Sequence, residues 1–400
     1  MKLALSARVG RIKPSPTLAV TARAQELRRE GRDVIGLGAG EPDFDTPDHI
    51  KAAAIDAIHQ GFTKYTAVDG IIELRQAISD KFRLDNKIDY APDQVLVSVG
   101  GKHSLYNLFE AVLNPGDEVI VPAPYWVSYP AMALLADAEP VIISATADQG
   151  FKLRPEQLAS AMSDQTRLFV LNSPSNPTGA AYTRAELEAL ADVLREHPRV
   201  LIVTDDMYEH IYWGSEPFCS FLTAAPDLYE RTITINGVSK AYAMTGWRIG
   251  YAGGPTAIIA AMRKIQSQST SNPCAIAQRA ALAAISGDQS CVTEMNKAFK
   301  QRHDYIVKEL NEIPGFRCLP GAGTFYAFPD ITGALEVLPD ISGDIPFSEF
   351  LLEKAEVAVV PGSAFGAPGH IRLSFACGLE TLETALGRVR AALHGAGVPA

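Results

Sequence analysis

Between residues 93 and 254 the chain alternates short, almost unbroken apolar runs with longer amphipathic stretches. "DQVLVSV" (93–99), "DEVIVPA" (117–123), "RLFVLNS" (167–173), "RVLIVTDD" (199–206), "RTITING" (231–237) and "RIGYAGG" (248–254) read as strands. Several are apolar throughout instead of alternating, as strands covered on both faces must be. "GGKHSLYNLFEAVL" and "TRAELEALADVLREH" carry apolar residues at helical spacing. Strands separated by helices form right-handed crossovers and a mostly parallel sheet. The rhythm predicts an α/β fold, a three-layer α/β/α unit over residues 46–287. From Asp288 it changes: long helical patterns surround short strand candidates, "FYAFP" and "HIRLSFA". A smaller α+β domain is expected there, over 288–400, with residues 1–45 packed against it.

Composition excludes several function classes. A net charge of −10 argues against non-specific nucleic-acid binding. No segment approaches the roughly 18 consecutive apolar residues of a membrane span, and the N-terminus lacks the apolar run of a signal peptide. The five cysteines, Cys219, Cys274, Cys291, Cys318 and Cys377, are far apart and form no CxxC pair. They read as reduced thiols in a cytoplasm, with no metal site.

In mostly parallel sheets ligands bind beyond the carboxyl ends of the strands, and the loops there are rich in polar residues. Gly100 and Gly101 open a helix, whose N–H groups and dipole favour a phosphate; the ordinary alternative is a strand-to-helix turn. "GLGAGEPDF" (36–44) is not a dinucleotide fingerprint, because the glycine spacing differs and a proline follows. "NSPSNPTG" (172–179) is a rigid loop that can fix Asn176 as a hydrogen-bond donor. Asp205 and Asp206 end the most apolar strand, where a carboxylate needs a cation. Lys240 stands among small and apolar residues, and desolvation favours its neutral, nucleophilic form. Arg248 and Arg372 suit phosphate or carboxylate. Each residue alone admits a bland reading as a turn, an ion pair or a surface lysine. Together they ask for one ligand with a phosphate, an aldehyde, a ring cation and a flat face for Trp126. Pyridoxal 5′-phosphate has all four.

Here the chain resembles the class I aminotransferases of the pyridoxal-phosphate fold type I, and most closely their bacterial aspartate branch. The likeness spans nearly the whole length. It is carried by "GLGAGEPDFDTP", "KYTAVDGIIELR", "GGKHSLYNLF", "PAPYWVSYP", "NSPSNPTGAAY", "TDDMYEHI", "SKAYAMTGWRIGYAGGP" and "IRLSFA". The resemblance implies that Lys240 holds the cofactor's aldehyde and acts as the acid–base. Asp205 would face the ring nitrogen, with Asp206 only its neighbour. Asn176 and Tyr208 would reach the ring oxygen, and Trp126 would stack on the ring. Gly100, Gly101, Lys102, Ser239 and Arg248 would lie at the phosphate end. Tyr65 would reach the phosphate of a neighbouring subunit, which implies a homodimer with shared sites. Arg372 would clamp the substrate α-carboxylate, with Gly40, Trp126 and Asn176 beside it.

Two departures bear on specificity. Many relatives carry a hydroxyl residue where Gly237 stands, leaving Ser239 or another group to take its contact. The segment "QSQSTSNP" (266–273) lacks the arginine that the best-studied aspartate enzymes lend across the dimer. The nearer branch implies Lys102 and Thr17 at the distal carboxylate instead. One ammonium is a less demanding clamp than a forked guanidinium. The expected reaction is ping-pong transfer from L-aspartate to 2-oxoglutarate. Aromatic, prephenate or broad specificity is the alternative, and a C–S β-lyase a further one. His103 reads either as a modulator of Lys102 or as a helix surface residue.

Overall fold

The computed structural model describes residue 3, residues 5–14 and residues 16–398. Seven strands form the central sheet: β1 Val95–Ser98, β2 Glu118–Ala123, β3 Glu139–Ser144, β4 Thr166–Asn172, β5 Leu201–Asp205, β6 Thr232–Gly237 and β7 Gly250–Gly253. Their spatial order is β1-β7-β6-β5-β4-β2-β3. Only β7 runs against its neighbours; every other pairing is parallel.

Successive residues of the inner strands feed opposite cores, as a two-residue period requires. Val119, Val121, Leu168, Val170 and Val203 pack with Leu105, Leu108 and Phe109 of the helix Gly101–Val112. Ile120, Phe169, Leu171 and Ile202 pack on the other face with Leu187, Leu190 and Leu194 of the helix Arg184–Arg195. Thr183 caps that second helix, accepting from the N–H of Glu186, while Glu186 accepts from the N–H of Thr183 at 2.8 Å. The sheet is therefore the middle of three layers. The edge strand β3 has no counterpart among the strands read from sequence. It mixes exposed and half-buried residues with none fully buried, and Pro140 is tolerated because an edge leaves one side unpaired.

The C-terminal part packs a second core from Phe299, Phe316, Phe325, Phe347 and Phe375. The helices Ser290–Asn311 and Leu379–Gly395 flank a small antiparallel sheet, in which Ile371–Ser374 pairs with both Tyr326–Ala327 and Val360–Pro361. The helix Pro16–Arg29 lies on this unit, and Ile35–Gly36 pairs with Val357–Ala358. The short helix Ala7–Gly10 goes elsewhere: Arg8 and Arg11 both pair with Asp137, beside the large sheet. No helix among the described residues is long and apolar enough to cross a membrane.

Candidate active site

The reversed strand β7 decides what gathers at the carboxyl edge of the sheet. Gly250 pairs with Ser98 at the end of β1 and with Gly237 at the end of β6. Arg248, which precedes β7, therefore arrives at the same edge as the loops that follow the parallel strands. Three backbones meet there with no room between them. A Cβ on Gly250 would lie 2.1 Å from the Gly101 nitrogen, and one on Gly237 would lie 3.0 Å from the Gly250 Cα. A side chain at position 237 would need the Gly250 Cα, the Ile249 carbonyl and the Met207 methyl to give by a few tenths of an ångström. Gly100 adopts φ +87°, and a Cβ there would strike the Arg248 guanidinium at 2.4 Å. The guanidinium thus lies directly against the turn that opens the helix Gly101–Val112, where the N–H groups of Gly101 and Lys102 have no partner among the described residues.

A cavity of about 250 Å³ opens at this edge. Gly101, Lys102, Ser239 and Arg248 line one end, and Thr17, Gly40, Trp126, Asn176 and Arg372 line the rest with Tyr208 and Asp205. Lys240 follows β6 and points into the cavity, donating to the Gly40 carbonyl at 2.5 Å. Burial, then the charge of Arg248, lowers its pKa to about 8.

Asp205 ends β5 and is buried. Its Oδ2 accepts from the Tyr129 hydroxyl at 2.7 Å and its Oδ1 from the Met207 N–H at 3.2 Å. Burial pushes its carboxyl up, while those two donors and Lys240 hold it down. Asp206 is not in the cavity. It accepts from Thr204, and burial together with the nearby Glu209 raises its carboxyl to about 7.

Arg372 is only 2% exposed and pairs with no carboxylate among the described residues. It donates to Asn176 Oδ1 at 2.9 Å and to the Gly38 carbonyl at 2.8 Å, and its Nε has no partner. A buried, uncompensated guanidinium is costly and is built for an incoming anion. Lys102 is exposed, with Nζ 5.0 Å from the Trp126 ring.

Other expected residues lie elsewhere. Gly100 sits behind the cavity wall. Tyr65 is 92% exposed in a separate hollow with Ser271 and Asn272, out of reach of this chain's own cavity. The His103 ring accepts from the Val99 N–H at 3.2 Å, and burial lowers its pKa; it is held as a neutral brace for the turn. Sequence reasoning missed Tyr129, Asn172 and Tyr326. Tyr129 lies in the first turn of the helix Ser128–Leu135, three residues after Trp126, whose ring it meets edge-on at 5.3 Å; that closeness in sequence offered a signal. Tyr326 and Asn172 offered none.

An α/β sheet with a depressed lysine and a buried aspartate at its carboxyl edge, roofed by an α+β unit bearing a carboxylate-free arginine, is the architecture of the fold type I enzymes. The chain belongs within that class to the family of class I and II aminotransferases, whose family model matches residues 32–389. It is 56% identical over 395 residues to an aspartate/prephenate aminotransferase of Nitrosomonas europaea, covering 97% of this chain and 99% of that one. It is 49% identical over 389 residues to an aspartate aminotransferase of a Bacillus species, covering 97% of this chain and 99% of the other. An aspartate aminotransferase structure from Rhizobium meliloti superposes with a TM-score of 0.95 at 48% identity, covering 98% of this chain and 99% of that one. One from Thermus thermophilus with maleate superposes with 0.92 at 44%, covering 98% and 100%.

Proposed function

We propose that the protein transfers the amino group of L-aspartate to 2-oxoglutarate, giving oxaloacetate and L-glutamate in two half-reactions, with pyridoxal 5′-phosphate as cofactor. The observation that carries this reading is one cavity lined by Lys240 with a pKa near 8, buried Asp205 and carboxylate-free Arg372.

The donor set fits the cofactor. The Gly100 and Gly101 turn, Ser239 and Arg248 form a cradle that a Cβ would fill, suited to a phosphate. Asp205 suits a ring N–H, Asn176 and Tyr208 a ring oxygen, and Trp126 a ring face. When bound, the cofactor supplies an aldehyde for amino groups and a protonated ring that takes up electrons. Lys240 takes the substrate α-proton onto Nζ and would pass it to the cofactor's aldehyde carbon in the same half-reaction; in the second half-reaction it would carry a proton the opposite way. Arg372 orients the α-carboxylate so that the Cα–H faces Lys240. Tyr129 and the Met207 N–H donate to Asp205 and favour its anion against the burial that raises its pKa. Lys102 and Thr17 meet the distal carboxylate. Closure of the α+β unit, residues 288–400 with the helix Pro16–Arg29, over the large unit, 46–287, would exclude water. We place the enzyme in the cytoplasm as a homodimer, with Tyr65 completing the partner's site; the exposure of Tyr65 supports this.

A second reading, turnover of aromatic 2-oxo acids or prephenate, is favoured by one observation. Among the described residues lining the cavity, the guanidiniums are those of Arg248 and Arg372, so the distal clamp is a single exposed ammonium. Adding aspartate, phenylalanine and alanine separately to the cofactor-loaded protein, and following the visible absorbance, tests both. Bleaching far faster with aspartate supports the first reading. Comparable bleaching with phenylalanine supports the second. Release of pyruvate and ammonia from a cystathionine-like substrate would mean a β-lyase.

A further inference from the structure

Tyr326 lies outside the motifs from which the site was read. It begins the strand Tyr326–Ala327 and stands opposite Ser374 across the antiparallel pair. Arg372, two residues before Ser374, is its diagonal neighbour on the same face, within reach of a long side chain. The guanidinium lies over the Tyr326 ring at 4.3 Å, with the Phe365 ring at 4.9 Å. At the far end of the ring, the Tyr326 hydroxyl is 3.0 Å from that of Tyr208. A Cβ on Gly40 would sit 2.7 Å from the same hydroxyl. Tyr326 is 1% exposed and touches three parts of the cavity at once.

We propose that Tyr326 is a positioning residue for this reaction: its ring face holds Arg372 in place, and its hydroxyl donates to Tyr208, freeing the Tyr208 proton for the cavity. The assignment rests on the function proposed above. Tyr208 has one hydroxyl proton to give. Spent on Tyr326, it is lost to a ligand oxygen. Among the described residues the Tyr326 hydroxyl has Tyr208 as its only hydrogen-bond partner, so an anionic oxygen in the cavity orders the chain from Tyr326 to Tyr208 to ligand. Each bond in such a chain polarises the next. The ring contributes separately. A guanidinium buried without a carboxylate is favoured by the negative face of an aromatic ring, and the contact keeps its fork aimed at the cavity while no substrate is bound.

The two roles come apart in two variants of the cofactor-loaded protein, Tyr326→Phe and Tyr326→Leu. Two readouts are needed: the pH midpoint of the visible absorbance, and the Kd of maleate by calorimetry at a pH below both midpoints. Tyr326→Phe should raise the midpoint by about half a pH unit or more and leave the maleate Kd within about twofold. Tyr326→Leu should raise the midpoint similarly and weaken maleate roughly tenfold. An unmoved midpoint in Tyr326→Phe overturns the donation to Tyr208. Equal weakening of maleate in both variants overturns the ring's role and leaves Tyr326 a space-filler. Circular dichroism checks folding, and Tyr326→Met replaces the leucine variant if that does not fold. If the unsubstituted protein shows no visible band with added cofactor, the proposed function itself fails.

Discussion

The two walls of the cavity are made of different material. On the large-sheet side, the end lined by Gly101, Ser239 and Arg248 is backed by close-packed backbone: a Cβ on Gly250 would lie 2.1 Å from the Gly101 nitrogen, and Arg248 lies against the Gly100 turn. On the α+β side it is side chains: Arg372 lies on two aromatic rings and donates to the Gly38 carbonyl and to Asn176. The backbone wall cannot adjust without parting strands. The side-chain wall holds Arg372 through hydrogen bonds to neutral oxygens, which an incoming carboxylate can replace. The difference teaches which half is fixed in advance for a constant group and which is kept adjustable for substrates that change between half-reactions.

Lys240 stands between the walls, and its loss should have the largest effect. Lys240→Ala should lower kcat by about 10⁴-fold, and retention of more than a few per cent of activity would remove it from the chemistry. Gly250→Ala attacks the rigid wall. Overpacking of this kind costs about 3 kcal/mol, so the melting temperature should drop and added cofactor should no longer be retained on gel filtration. Arg372→Lys attacks the adjustable wall. It should raise KM for aspartate by about 30- to 100-fold while the melting temperature moves little; a large drop in stability would erase the contrast. Lys102→Ala should be milder, about tenfold in kcat/KM for aspartate, with phenylalanine unaffected. The smallest effect is a pH response. In the cofactor-free protein the neutral fraction of Lys240 should rise from about a tenth at pH 7 to about half at pH 8. Its rate of labelling by a small aldehyde should follow that rise, whereas an ordinary lysine would respond about two pH units higher.

Much of the large sheet was legible because strands covered on both faces leave unbroken apolar runs, and the loops beyond them announced Lys240, Asp205, Asn176 and Arg248. The direction of β7 was not legible, since "RIGYAGG" looks the same whichever way it runs. Strand β3 was missed because its apolar run is only three residues long, sits behind Pro140 and is half-buried at best. Tyr326 escaped because a tyrosine in "FYAFP" gives no hint that its hydroxyl will meet Tyr208. The tight fit at position 237 depends on a backbone contact that neither segment encodes alone.

The turn between β6 and β7 has a consequence for how the site is inherited. Lys240 and Arg248 hang from one hairpin whose register is set by Gly237 opposite Gly250. A recombination event or a loop graft that takes residues 237–250 carries both cations and their spacing as a single module. One that cuts within it separates them.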